Sequence, residues 1–134
     1  VVAVEGRETW QAYFTDYVRH LPQNNYAISL EMARVLDDFE PAGASFVKVW
    51  PYWFDGNALR AQLKVKPKTW DWELADLDPA RPPLADVRGQ VLVLLHPDDS
   101  EGLQALKAAF PCGIAVTHYD YDLRPAFITF YAER

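Results

Sequence analysis

Between Gln90 and Phe110 the chain reads QVLVLLHPDDSEGLQALKAAF, and this stretch decides the architecture. Its first part is a continuous apolar run without alternation. A strand with one wet face needs apolar side chains only at every second position, so such a run predicts a strand buried on both faces. Its second part, DDSEGLQALKAAF, places Leu103, Leu106 and Phe110 on one side of a helix. The Pro-Cys-Gly that follows stops that helix. Strand, short polar turn and helix make the unit from which α/β domains are assembled.

Upstream, SFVKVW from Ser45 to Trp50 alternates and is rich in β-formers, which predicts a second strand. The loop PYWFDG comes next, and Asp55 or Asn57 offers a cap for a short helix ending near Leu63. LKVKPKTWDWEL predicts one or two short strands interrupted by Pro67. The proline-rich acidic stretch from Ala75 to Asp86 reads as a surface loop. Downstream, GIAVTHYDYDLRPAFITFYAE predicts two strands joined by a turn around Asp120 to Pro125.

Two helices are expected at the N-terminus. The first carries Trp10, Tyr13, Phe14, Tyr17, Val18 and Leu21 at helical spacing and ends at Pro22. The second is capped by Asn24 or Asn25 and turns Ile28, Met32, Val35, Leu36 and Phe39 inward, with Asp37 and Asp38 solvated at its close. The expected fold class is therefore α/β, as one domain over residues 1–134. It is a three-layer α/β/α sandwich whose central sheet is mostly parallel, with an antiparallel C-terminal hairpin and two N-terminal helices.

The 134 residues carry a net charge of −6 and a single cysteine, Cys112. An acidic surface repels a phosphate backbone, so no nucleic-acid partner is expected. One cysteine excludes an internal disulfide. No apolar run approaches the roughly 20 residues that cross a bilayer. Five Trp, seven Tyr and seven Phe are many for this length. They predict an aromatic surface for a ligand or partner besides a core.

Two segments carry candidate chemistry. In HPDD, a histidine and two aspartates follow a buried strand, which resembles the H-P-D-D-E signature of zinc-dependent N-acetylglucosaminyl deacetylases. That resemblance implies His96 and Asp99 as metal ligands and Asp98 as general base, in a metal-dependent hydrolase or deacetylase. Against it, Ser100 stands where the family has Glu, and only His118 follows as a further histidine. A catalytic zinc site takes three protein ligands. The competing expectation is structural: Pro97 ends the strand, Asp98 or Asp99 caps the helix, and Glu101 meets its positive first turn.

The second segment is WPYWFDGN, Trp50 to Asn57. In an open α/β sheet, the C-terminal ends of strands line the ligand crevice. Trp50, Tyr52, Trp53, Phe54, Asp55, Asn57 and Arg60 suit a sugar, together with His96 and Asp98 across the crevice: aromatic faces stack on C–H groups and polar ends bind hydroxyls. The same residues would equally serve as a docking surface or as core. Trp70 and Trp72 in KTWDWEL read as packing or docking, and His20 as a cation at a helix C-terminus.

The order of these parts resembles the soluble C-terminal domain of bacterial family 39 membrane glycosyltransferases, relatives of the protein mannosyltransferases. Tyr13, Phe14 and Tyr17 match a Y-F-x-x-Y helix, and Val35, Leu36 and Phe39 before Pro41 to Gly43 match the second helix and its turn. VWPYWFDGNALR, then Phe110, Pro111 and Gly113, then FITFYAER match the later elements. The resemblance implies a non-catalytic extracytoplasmic accessory domain, with catalysis and the membrane spans elsewhere in the parent. It implies no catalytic residue and no cofactor in this chain. Its partners would be the membrane-embedded module and an acceptor or lipid-linked sugar, at the outer face of a bacterial membrane. The opening VVAVEGRE, without an initiator methionine, accords with a domain excised from the C-terminus of a larger membrane protein. A purely structural docking module is the third expectation.

Overall fold

The computed structural model describes residues 22–51, 53–54, 56–64, 72–120 and 122–134. The helix expected from Trp10 to Leu21, together with His20 and Trp70, lies outside them. The described chain is mixed α/β, with three α-helices around one five-stranded mixed sheet.

Helix α1 spans Pro22–Phe39. It begins at the proline expected to end the preceding helix, and Asn24 and Asn25 fall inside it rather than at its cap. Proline is tolerated in a first turn, where its missing N–H would have no partner and its fixed φ already suits the helix. Met32, Ala33 and Leu36 are buried, and Ile28, Val35 and Phe39 pack against the core from its rim. Asp37 is not simply solvated: its carboxylate accepts the Lys64 amide at 3.1 Å. It thereby ties α1 to the end of α2, Gly56–Gln62.

Strand β1 is Gly43–Lys48, two residues earlier than the alternating run suggests. Pairing sets this start, because Gly43 lies opposite Gln90 of strand β3, Gln90–Leu95. A Cβ on Gly43 would stand 2.1 Å from the Gln90 carbonyl oxygen. Only glycine allows that approach. Strand β2 is the two residues Glu73–Leu74. Strand β4, Ile114–Tyr119, and strand β5, Pro125–Glu133, form the expected C-terminal hairpin.

The strand order is β2-β1-β3-β5-β4. β1 runs parallel to β2 and β3, whereas β5 runs antiparallel to both β3 and β4. The sheet is thus evenly mixed, not mostly parallel. The cause is the hairpin's placement: β5 inserts beside β3 instead of ending the sheet. Its run Ala126–Phe130 is wholly buried and belongs inside, while β4 is exposed almost throughout. The centre is β3, where Val91 to Leu95 are each at most 1% exposed.

Adjacent strand residues point to opposite faces. Tyr131 meets Phe39 of α1, ring centroids 6.0 Å apart. Its neighbour Phe130 meets Phe110, which closes helix α3, Ser100–Ala109, at 6.4 Å. Leu106 of α3 is fully buried and Leu103 half-buried. The loop from Ala75 to Asp86 is held down, since Leu84 is 1% exposed and Arg134 donates to the carbonyls of Ala85 and Pro79 at 2.7 and 3.0 Å. Trp72 belongs to the core.

Candidate functional site

The C-terminal ends of β1 and β3 bring the two sequence candidates together. β3 ends at Leu95, and the Asp99 side chain caps α3 by accepting the Gly102 amide at 3.0 Å. Glu101 lies in the positive first turn of the helix and Lys107 in its negative last turn, each on the favourable side of the dipole. A Cβ at position 102 would come within 2.6 Å of Asp99 Oδ2, so glycine there makes room for the cap.

His96 is held on three sides. Its ring stacks on Trp50 with centroids 4.7 Å apart and meets the edge of Trp53 at 5.4 Å. Its Nδ1 accepts the Asp98 amide at 3.0 Å. A ring nitrogen that accepts carries no proton, so the neutral ring bears its hydrogen on Nε2. Burial lowers the His96 pKa below its ordinary value, and the nearby carboxylates of Asp98 and Asp99 partly oppose this. The Asp98 side chain itself is 83% exposed.

Asp99 is 7% exposed, and its Oδ2 has no hydrogen-bond partner. Lys48 Nζ stands 3.9 Å away, too far for a hydrogen bond but close enough to balance the charge. The same ammonium lies 5.8 Å from the Trp50 ring centroid and donates to the Val49 carbonyl. Sequence reasoning passed over Lys48, because in an alternating strand a lysine reads as an outward polar residue. The sequence held no signal for it, since the expected strand ran on to Trp50; only the structure ends the strand at Lys48 and sets that residue near Asp99.

In the aromatic segment, Trp53 is 4% exposed and its Nε1 donates to the Ala126 carbonyl at 2.9 Å, so it is a core side chain. Phe54 is half-buried and meets Trp53 edge-on at 5.1 Å. Tyr52 and Asp55 lie outside the described residues. Arg60 is paired with Glu73, both side chains being largely buried. It also donates to exposed Asn57. Burial raises the Glu73 pKa, with the Arg60 charge and hydrogen bond acting the other way.

His118 does not join His96 and Asp99 as a third ligand. It stacks on Phe127 at 4.4 Å, and its Nε2 shares a hydrogen bond with Thr129 Oγ1 at 2.9 Å. It lines a separate cavity of about 320 Å³ with Ile28, Glu31, Tyr119 and Phe127. Its pKa is lowered by burial first, with Glu31 raising it and Arg34 lowering it. Among the described residues, no group of three or more His, Cys, Asp or Glu is placed to hold a metal ion.

At the ends of β1 and β3, Trp50 and Trp53 thus stand against His96 and Lys48 stands near Asp99, with Asp98 exposed beside them, while Arg60 answers Glu73 and Asn57. Comparison with protein-family models, with curated proteins and with solved structures gives no match to this chain.

Proposed function

We propose that this chain is a non-catalytic accessory domain at the extracytoplasmic end of a bacterial family 39 membrane glycosyltransferase. It rests against the membrane-embedded module and meets an acceptor or lipid-linked sugar through the loops after β1 and β3. One observation carries the non-catalytic part: the two residues that a metal-dependent hydrolase would use as ligands, His96 and Asp99, are engaged in holding the fold. Asp99 caps a helix, and His96 lies against Trp50 with its Nδ1 turned to a backbone amide. The glycosyltransferase part rests on the motif resemblance over nearly the whole chain. No helix among the described residues is long and apolar enough to cross a membrane, and in this proposal the spans belong to the parent. The proposal also includes the three-layer arrangement, with α1 and α2 on the Tyr131 side of the sheet and α3 on the Phe130 side.

Calorimetry with zinc, on this chain and on His96→Ala, tests the first part. No stoichiometric zinc binding is expected. Tight binding that His96→Ala abolishes would overturn the proposal and make HPDD the centre of a metal-dependent hydrolase. The reading frame upstream of Val1 tests the second part: repeated apolar spans of about 20 residues are expected there. A start codon directly before Val1 would remove the membrane parent.

A further inference from the structure

We infer that β4 is a self-pairing edge, through which two copies of this chain join their five-stranded sheets into one antiparallel sheet of ten strands. Proteins normally protect exposed strand edges with short length, charge, proline or a bulge, because a row of unpaired N–H and C=O groups invites another strand. The other edge of this sheet follows that rule. β2 is two residues long, and its Glu73 is closed off by Arg60.

β4 does not follow it. It runs six residues, Ile114–Tyr119, and pairs with β5 alone among the described residues. It holds no charged residue and no proline, in a chain whose net charge is −6. Its one irregularity lies at the far end, between His118 and Tyr119. Ile114, Val116 and Tyr119 are 63, 41 and 61% exposed. The residues that would stabilise a sheet interior are therefore present on a strand that, among the described residues, has a neighbour on one side only.

A strand edge is satisfied by a strand, and a second β4 brings equal length and the same lack of charge. A two-fold axis perpendicular to the sheet keeps each face on its own side, which requires partners of equal parity. With the axis through Val116, Val116 faces its copy, Ile114 faces His118 and Ala115 faces Thr117. An axis through Thr117 would instead set Ile114 against Asp120 and draw the irregularity at Tyr119 into the ladder. The Val116 register avoids both. It also turns the hairpin tip, whose Asp120, Asp122 and Arg124 leave one net negative charge, toward the partner's α3–β4 corner, where Lys107 sits in the last turn of the helix. Strand pairing alone buries less than the roughly 1,200 Å² of a standard interface, so a weak dimer that forms only at high protein concentration is expected.

Sedimentation equilibrium on the whole chain, from about 5 to 500 µM, is the test. The expected result is a shift from 15.3 kDa to twice that mass, with Val116→Lys monomeric throughout and its circular dichroism unchanged. A nitroxide on Cys112, the single cysteine, fixes the register. Pairing through Val116 separates the two labels by about eight residues of strand, or roughly 27 Å along it. A dipolar distance near 30 Å is therefore expected. A dimer with a clearly different distance, or a Val116→Lys dimer as tight as wild type, would overturn the inference. So would a wild-type monomer at every concentration. If that monomer were also destabilised by Val116→Lys, the edge would be covered by this chain's own N-terminal residues instead.

Discussion

The two neighbouring aspartates of HPDD offer a direct test of what that segment does. Asp99 caps α3 from a buried position, whereas the Asp98 side chain is 83% exposed. Removing an N-cap carboxylate costs about 0.5–2 kcal/mol. Two further effects oppose each other. Asp99→Ala leaves the Lys48 ammonium, 16% exposed, without its counter-charge, but it also removes the buried and unbonded Oδ2. With these offsetting, a loss of about 1.5 kcal/mol is expected, which for a domain of this size lowers Tm by roughly 5 °C.

Asp99→Asn keeps an oxygen for the Gly102 amide and should lose less, under about 1 kcal/mol. Asp98→Ala should stay within about 0.5 kcal/mol of wild type. Gly102→Ala should destabilise despite alanine's advantage of about 1 kcal/mol in a helix, because its Cβ meets the capping carboxylate at 2.6 Å. Urea unfolding followed by circular dichroism reads all four, with m unchanged and the Asp99→Ala midpoint lower by about 1 M for m near 1.5 kcal/mol/M. If Asp99→Ala were as stable as wild type or more so, or if Asp98→Ala cost as much, the capping role would be refuted. Asp99 would then look like a residue kept for chemistry at the expense of stability.

Gly43→Ala should cost more than about 2 kcal/mol, since its Cβ would collide with the Gln90 backbone and push β1 off β3; a thermal melt within 2 °C of wild type would show that the strands separate easily there. Trp53→Phe keeps most of the apolar bulk but leaves the buried Ala126 carbonyl unpaired. It should lose about 1–3 kcal/mol in urea unfolding, and an unchanged midpoint would mean that water satisfies that carbonyl. His96 and His118 both have lowered pKa values in the folded chain. Their contribution to stability is complete above the ordinary value of 6.5 and is lost as pH falls through the lowered values. Urea midpoints should therefore decline from pH 7.5 to 5, and less steeply in a His96→Gln, His118→Gln double variant; equal slopes in the two proteins would contradict this.

Several features were legible in the sequence because they depend on local pattern. The unbroken run at Val91 to Leu95 announces a strand covered on both sides, and that strand is the centre of the sheet. The turn at HPDD, the helix that Asp99 caps and the C-terminal hairpin follow from capping and turn chemistry over a few residues. Boundaries were less legible where a neighbour sets them. β1 starts at Gly43 because Gln90 is its partner, and no pattern within SFVKVW contains that fact.

The candidate site divides in the same way. Residue type and proximity in sequence put Trp53, Arg60, His96 and Asp98 on one list. Which of them are engaged depends on contacts with residues 13 to 73 positions away: Trp53 with Ala126, Arg60 with Glu73, and His96 with Trp50. The insertion of β5 beside β3 is of that kind as well. By itself, the sequence determined the types of the main elements among the described residues, the buried central strand and the capped turn, since these rest on propensity and periodicity within one segment. Only the tertiary structure decided the mixed strand order, the burial of Trp53 and the exposed edge of β4, because each depends on which distant segment fills the space alongside.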